Sequence, residues 1–193
     1  TSGMAPLMII GTVPLYNAFA VIVLSLLKPG QRKMDKALLQ KTLKGIVTNP
    51  IILGIAAGFV WAILKIPQPE ILQKTVKNMA VLATPLGLMA MGASFEGKKA
   101  LGKLKPTLIA SALKLVVLAA IFLPIAVWLG YRESELVAIL VMLGSATTVS
   151  SFVMARNMGH EGVLTSSIVM VTTLCSAFTL TGWLFLLKTL GLV

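Results

Sequence analysis

Runs of apolar residues recur along the chain at close to the twenty or so positions that a helix needs to cross about 30 Å of hydrocarbon. Six such runs are read, at residues 4–27, 46–64, 71–95, 106–129, 135–156 and 163–187. The runs are too long for strands, so the pattern predicts an all-α polytopic membrane protein with six transmembrane helices. Pro50 suits a helix beginning, and Pro67 with Pro69 punctuates the connection from the second run to the third. Residues 28–44 break the pattern. There Lys28, Arg32, Lys33, Lys36, Lys41 and Lys44 alternate with Leu38, Leu39 and Leu43, as expected of an amphipathic helix lying on a membrane surface.

The fifth run carries an anomaly within its apolar stretch. Residues 143–155 read Leu-Gly-Ser-Ala-Thr-Thr-Val-Ser-Ser-Phe-Val-Met-Ala, a cluster of small hydroxyl side chains at mid-depth. Lipid offers no water to a loosened backbone, so this composition predicts a helix that breaks where it lines a cavity, as in secondary transporters. A break near Gly144 to Ala146 gives the second half of the helix an N-terminus inside the membrane, with unpaired amides and partial positive charge. An anion is favoured at such an end. Gly144 is expected to supply the unusual backbone angles, and Ser145, Thr147, Thr148, Ser150 and Ser151 to complete hydrogen bonding to the anion. The competing reading is that these residues only let helices approach closely.

Two further polar residues are candidates for the same substrate site. Lys114 lies in the fourth run, eight positions from Pro106 and so about 12 Å along a helix. It either meets a substrate carboxylate in a cavity or snorkels to the interface. Asn17 follows Pro14 in the first run and either donates and accepts at a proline kink or bonds a neighbouring helix. Pro85, Gly87 and Gly92 in the third run are read as bending and close-contact residues. His160, with Arg156 and Glu161, is read as part of a polar turn, with a gating or proton-coupling role as the alternative.

Composition agrees with a bilayer setting. Of 193 residues, 57% are hydrophobic and 12% charged, and the mean hydropathy is +0.94. The net charge of +11 does not point to nucleic acid, because the basic residues fall in short inter-helix segments with little aromatic interleaving. Lys98, Lys99, Lys103, Lys105 and Arg156 share one side with the basic linker, giving eleven cations there. Lys65, Lys74, Lys77, Arg132 and Lys188 make five on the other, with Lys114 intramembrane. The positive-inside rule therefore places the linker in the cytoplasm and both ends of the chain outside. Cys175 has no intrachain partner, and one cysteine with one histidine gives no metal cluster. Nothing reads as a catalytic motif or cofactor site, so no enzyme is expected. The opening residues lack a signal-peptide pattern, and their closeness to the first run suggests a fragment or a processed product.

An offset of 159 residues aligns Gly3–Val21 with Gly162–Leu180, matching Leu-Tyr-Asn-Ala-Phe-Ala-Val with Leu-Cys-Ser-Ala-Phe-Thr-Leu. The copies lie five runs apart and would cross the membrane in opposite senses, as in an inverted repeat.

Asn49-Pro50-Ile51-Ile52-Leu53-Gly54-Ile55-Ala56-Ala57-Gly58, Thr84-Pro85-Leu86-Gly87-Leu88-Met89-Ala90-Met91-Gly92-Ala93-Ser94, and Ser145-Ala146-Thr147 followed by Ala155 form an ordered set. With these runs the chain resembles the C-terminal part of the auxin efflux carrier family, which includes bacterial malonate-type carriers and plant auxin exporters. The resemblance implies a ten-helix carrier of two inverted five-helix repeats, with a broken crossover helix, in a cell membrane such as the bacterial inner membrane. It makes residues 1–27 the last helix of the first repeat, part of the core domain, and 28–45 a cytoplasmic basic amphipathic linker. Residues 46–95 become scaffold helices and 106–193 core helices of the second repeat, the remaining N-terminal helices lying elsewhere in the carrier. It also implies a homodimer through the scaffold and elevator-type transport of small organic anions, such as malonate or auxin-like acids. One departure is that many relatives have a proline where this chain has Leu143-Gly144-Ser145. The alternative function is a non-transporting membrane sensor or assembly module derived from a carrier.

Overall fold

A computed structural model describes residues 4–27, 45, 48 and 50–193. The predicted amphipathic linker, residues 28–44, lies outside the described residues, as does Asn49. Every regular element among the described residues is helical: α1 (Met4–Leu26), α2 (Pro50–Ile63), α3 (Glu70–Ala93), α4 (Gly97–Gly102), α5 (Leu104–Ala112), α6 (Leu118–Trp128), α7 (Glu133–Gly144), α8 (Val149–Asn157) and α9 (Val163–Thr189). Helices α5 and α6 form one continuous rod through a π-helical turn at Leu113–Val117.

Among the described residues, four segments are long and apolar enough to span a bilayer: Glu70–Ala93, Leu104–Trp128, Glu133–Asn157 and Val163–Thr189. Gly11–Leu24 and Ile52–Ile63 are shorter apolar stretches. The chain is a multi-pass membrane protein. Its helix starts follow the sequence cues: α2 begins at Pro50, which needs no amide partner there, and Pro69 caps α3.

The best-buried layer is built by α6, α7 and α9. Ala119, Leu123 and Ala126 on α6, Leu136 and Leu140 on α7 and Leu187 on α9 form one apolar cluster, with Leu180 and Trp183 packed against it. A second cluster joins Met91 of α3, Phe152 of α8 and Val169 of α9, with Val149 and Val153 against it. Helix α3 therefore meets the bundle chiefly through α8, and α2 meets it chiefly through α1. Most of α3 is exposed within the chain, as with Ile71, Met79, Val81 and Met89. For a helix in lipid such exposure is no penalty, because acyl chains are as apolar as leucine.

Three contacts tie the end of the bundle that holds α4 and the α8–α9 turn. Gly159 adopts φ +85° and ends α8 in a Schellman turn, His160 N–H bonding Ala155 O and Gly159 N–H bonding Arg156 O. That turn aims the His160 ring at α1, where Nε2 donates to the Leu24 carbonyl at 2.9 Å. His160 is thus half-buried and engaged by another helix, more than the solvated turn expected from sequence. Lys103 Nζ lies 3.2 Å from Glu161 Oε2, and Arg156 donates to the Glu161 carbonyl.

Candidate functional site: a broken helix facing a cleft

The segment Glu133–Asn157 is interrupted, as its hydroxyl cluster predicts. Helix α7 ends at Gly144, residues Ser145, Ala146, Thr147 and Thr148 are non-helical, and α8 begins at Val149. Twelve residues of α7 rise about 18 Å and nine of α8 about 14 Å. The break therefore falls near the middle of a hydrocarbon slab of about 30 Å.

The backbone changes direction at Ser145 rather than at Gly144. Ser145 has φ −67° and ψ 155°, and Thr148 has φ −74° and ψ 148°, both extended conformations open to any residue. Gly144 is the last helical residue and is not among the left-handed glycines. Its missing side chain serves space: a Cβ there would stand 3.0 Å from Leu180 Cδ2 and 3.6 Å from Leu140 Cδ1. The expectation that Gly144 supplies unusual angles is thus replaced by a close-approach role that lets α9 lie against the end of α7.

Two residues from other helices hold the interruption open. The buried Thr172 of α9 accepts the Thr147 N–H on Oγ1 at 3.1 Å while donating to the Ile168 carbonyl at 2.7 Å. That satisfies an amide left without a helical partner. Across the break, Lys114 Nζ donates to the Leu143 carbonyl at 3.1 Å. Lys114 sits in the π-helical turn, a motif frequent at functional sites, and Trp183 Nε1 donates to the neighbouring Leu115 carbonyl at 3.2 Å. Lys114 therefore reaches sideways to the C-terminus of α7 instead of snorkelling to the interface.

This arrangement treats the two half-helix ends unequally. The C-terminus of α7, worth roughly half a negative charge, meets an ammonium. At the N-terminus of α8, Ser151 N–H bonds the Thr148 carbonyl, whereas the amides of Val149 and Ser150 find no acceptor among the described residues. Thr148 Oγ1 and Ser150 Oγ lie 2.8 Å apart, and Ser151 Oγ turns back to donate to the Thr148 carbonyl at 2.7 Å.

A cleft of about 600 Å³ opens in front of this end. Ala146, Thr147, Thr148, Val149, Ser150 and Val153 form one wall, Ala83, Thr84 and Gly87 of α3 the facing wall, and Val169 with Thr173 of α9 the floor. Among the sequence candidates, Thr147, Thr148 and Ser150 line it, while Gly144, Ser145 and Ser151 flank it along the chain. Lys114 and Asn17 are not among the lining residues. Asn17 is buried in α1, its Nδ2 donating to the Val13 carbonyl at 2.7 Å and its Oδ1 without a partner among the described residues.

Sequence reasoning missed Thr84, Thr172 and Thr173. Their signal was hydroxyls within otherwise apolar spans, the same feature that marked residues 145–151. Gly87, read from the sequence as a bending and close-contact residue, also borders the cleft. The chemistry on offer is neutral: amides and hydroxyls, with no group of three or more His, Cys, Asp or Glu placed to hold a metal among the described residues.

A family model described as "Membrane transport protein", covering the auxin efflux carriers, matches residues 7–184 of the chain. No curated protein and no solved structure matches it.

Proposed function

The chain belongs to the membrane transport protein family, and from that premise we propose that it works as a secondary carrier of small organic anions. Members of the family are transporters rather than enzymes. The observation that carries the finer reading is the N-terminus of α8. The amides of Val149 and Ser150, without acceptors among the described residues, two hydroxyls and the positive end of a helix dipole lie at a cleft large enough for a small carboxylate. A carboxylate binds there through neutral donors, so no full positive charge on the cleft wall holds it against release.

Lys114 supports this selectivity without touching the substrate. Its ammonium masks the negative end of α7, which would otherwise repel an anion across the break. In this reading, α1 and α5 to α9 form a moving core, and α2 and α3 are scaffold helices against which the core slides in an elevator cycle. The cleft between α3 and α8 is then the crevice between the two parts. Carboxylates such as malonate or auxin-like acids are the substrate class, and a scaffold-mediated homodimer is the expected assembly.

Counterflow in proteoliposomes tests the proposal. Vesicles preloaded with unlabelled malonate should accumulate radiolabelled malonate through the full-length protein, with competition from other small carboxylates and none from choline. Uptake no greater than in protein-free vesicles for every small carboxylate tried would remove the anion-carrier reading.

A further inference from the structure

Helix α3 meets α8 at one crowded point. A Cβ placed on Gly87 would stand 2.8 Å from Val149 Cγ1, closer than real side chains approach. Elsewhere on the apolar helices of this side the glycines are unconstrained: Gly54, Gly58 and Gly92 have nothing within 4 Å. The crowding therefore belongs to position 87 and not to a general closeness of α3. Val149 is poorly placed to yield, because it is β-branched, opens α8 and packs against Met91, Phe152 and Val169. Both residues border the cleft, and the Val149 amide has no acceptor among the described residues.

We propose that Gly87 is the seating point of the carrier cycle, the bare stretch of α3 backbone on which the tip of α8 rests when the anion site closes against the scaffold. The inference rests on the anion-carrier reading above. Gly87 acts as a positioning residue: it offers the substrate no functional group, and its lack of a side chain sets how near the α8 amides come to the facing wall. A methyl group at this point must part α3 from α8 or twist Val149 off its preferred rotamer. Such overpacking penalises the seated state and leaves the amides and hydroxyls of α8 in place.

The test compares wild type, Gly87→Ala, Val149→Ala and the double variant, all as full-length protein. Malonate counterflow in proteoliposomes is measured beside equilibrium malonate binding in detergent. For Gly87→Ala the transport rate should fall about tenfold or more, the size typical of one overpacked methyl, while affinity changes less than about threefold. The double variant removes the Val149 methyl groups that the introduced Cβ meets and should recover most of the lost rate. Rescue is also the readout if Gly87→Ala alone assembles poorly. Wild-type transport by Gly87→Ala, an equal fall in its binding and transport, or a double variant as slow as Gly87→Ala would each overturn the seating role. Wild-type protein that binds no carboxylate would remove the anion-site reading first, a result separate from any of these.

Discussion

Lys114 Nζ and the Leu143 carbonyl oxygen lie 3.1 Å apart, joining the π-helical turn of one span to the broken end of another across 29 residues of sequence. The pair gives a half-buried cation, which has no carboxylate partner among the described residues, an acceptor at the end of α7. It closes that helix with a charge-assisted hydrogen bond. The bond covers the C-terminus of α7 and leaves the positive end of the α8 dipole without a counter-charge among the described residues.

Removing that charge should cost both stability and anion preference. Hydrogen bonds to charged groups contribute roughly 1.5–3 kcal/mol, so Lys114→Met should destabilise the protein by about that amount in thermal unfolding. Malonate affinity should fall as well. Lys114→Arg can still donate to Leu143 and should keep most of both. Wild-type unfolding and binding in Lys114→Met would mean that the contact does not matter to the break.

Thr172 is expected to act through Thr147. Thr172→Val keeps the shape but takes the acceptor from the half-buried Thr147 N–H, at a cost of about 1 kcal/mol. Thr172→Ser retains the oxygen and should behave like wild type. Amide hydrogen exchange at residues 145–148 reads the difference: faster exchange is expected in the valine variant only, and equal exchange in both would detach Thr172 from the break.

Hydroxyls on the cleft wall should contribute modestly and separately from the amides. A neutral hydrogen bond adds about 0.5–1.5 kcal/mol net, so Thr147→Ala and Ser150→Ala should each weaken malonate binding by about 2- to 10-fold. Unchanged titration curves for both variants would favour the reading in which these residues only allow close helix contact.

Glu161 provides a pH dependence whose sign is fixed. The hydrogen bond and charge of Lys103, with a smaller effect of Lys99, hold its carboxyl below the ordinary glutamate range. Its contribution to folding is complete above the unfolded value of about 4.3 and disappears as pH falls through the lower folded value. Glu161 is largely exposed and Lys103 partly so, and solvent screening keeps the effect small. Unfolding followed from pH ~6 to pH ~3 should show a shallow acid-side loss that Glu161→Gln removes. Identical profiles for the two proteins would mean that the Lys103 pair adds nothing in solution.

Much of this architecture was legible in the sequence because lipid enforces it. Apolar runs of this length form helices, and the dense cluster of glycine and hydroxyls at mid-depth points to the break found at residues 145–148. The local cause of the break did not follow. Gly144 is the residue that a sequence reading favours for an unusual turn, yet extended angles at Ser145 and Thr148 suffice, and the glycine instead gives room to the close-lying Leu180 side chain. That side chain belongs to a helix 36 residues away, which no local pattern reveals.

The same limit hid the partners of the site. Lys114 stood out as an intramembrane charge, but its acceptor is a backbone carbonyl, and carbonyls carry no sequence signature. Thr172 and Thr84 were visible only as ordinary hydroxyls in apolar helices. Their roles depend on which faces of α9 and α3 meet α8, a matter of tertiary contact and not of periodicity.

The most direct test is to locate the anion itself. An experimental structure of the full-length protein with a bromine-bearing carboxylate should place anomalous density in the cleft between α3 and α8, with the carboxylate within hydrogen-bonding distance of the Val149 and Ser150 amides. Density at any other place, with those amides left facing an empty or lipid-filled cleft, would contradict the assignment of the α8 N-terminus as the substrate site.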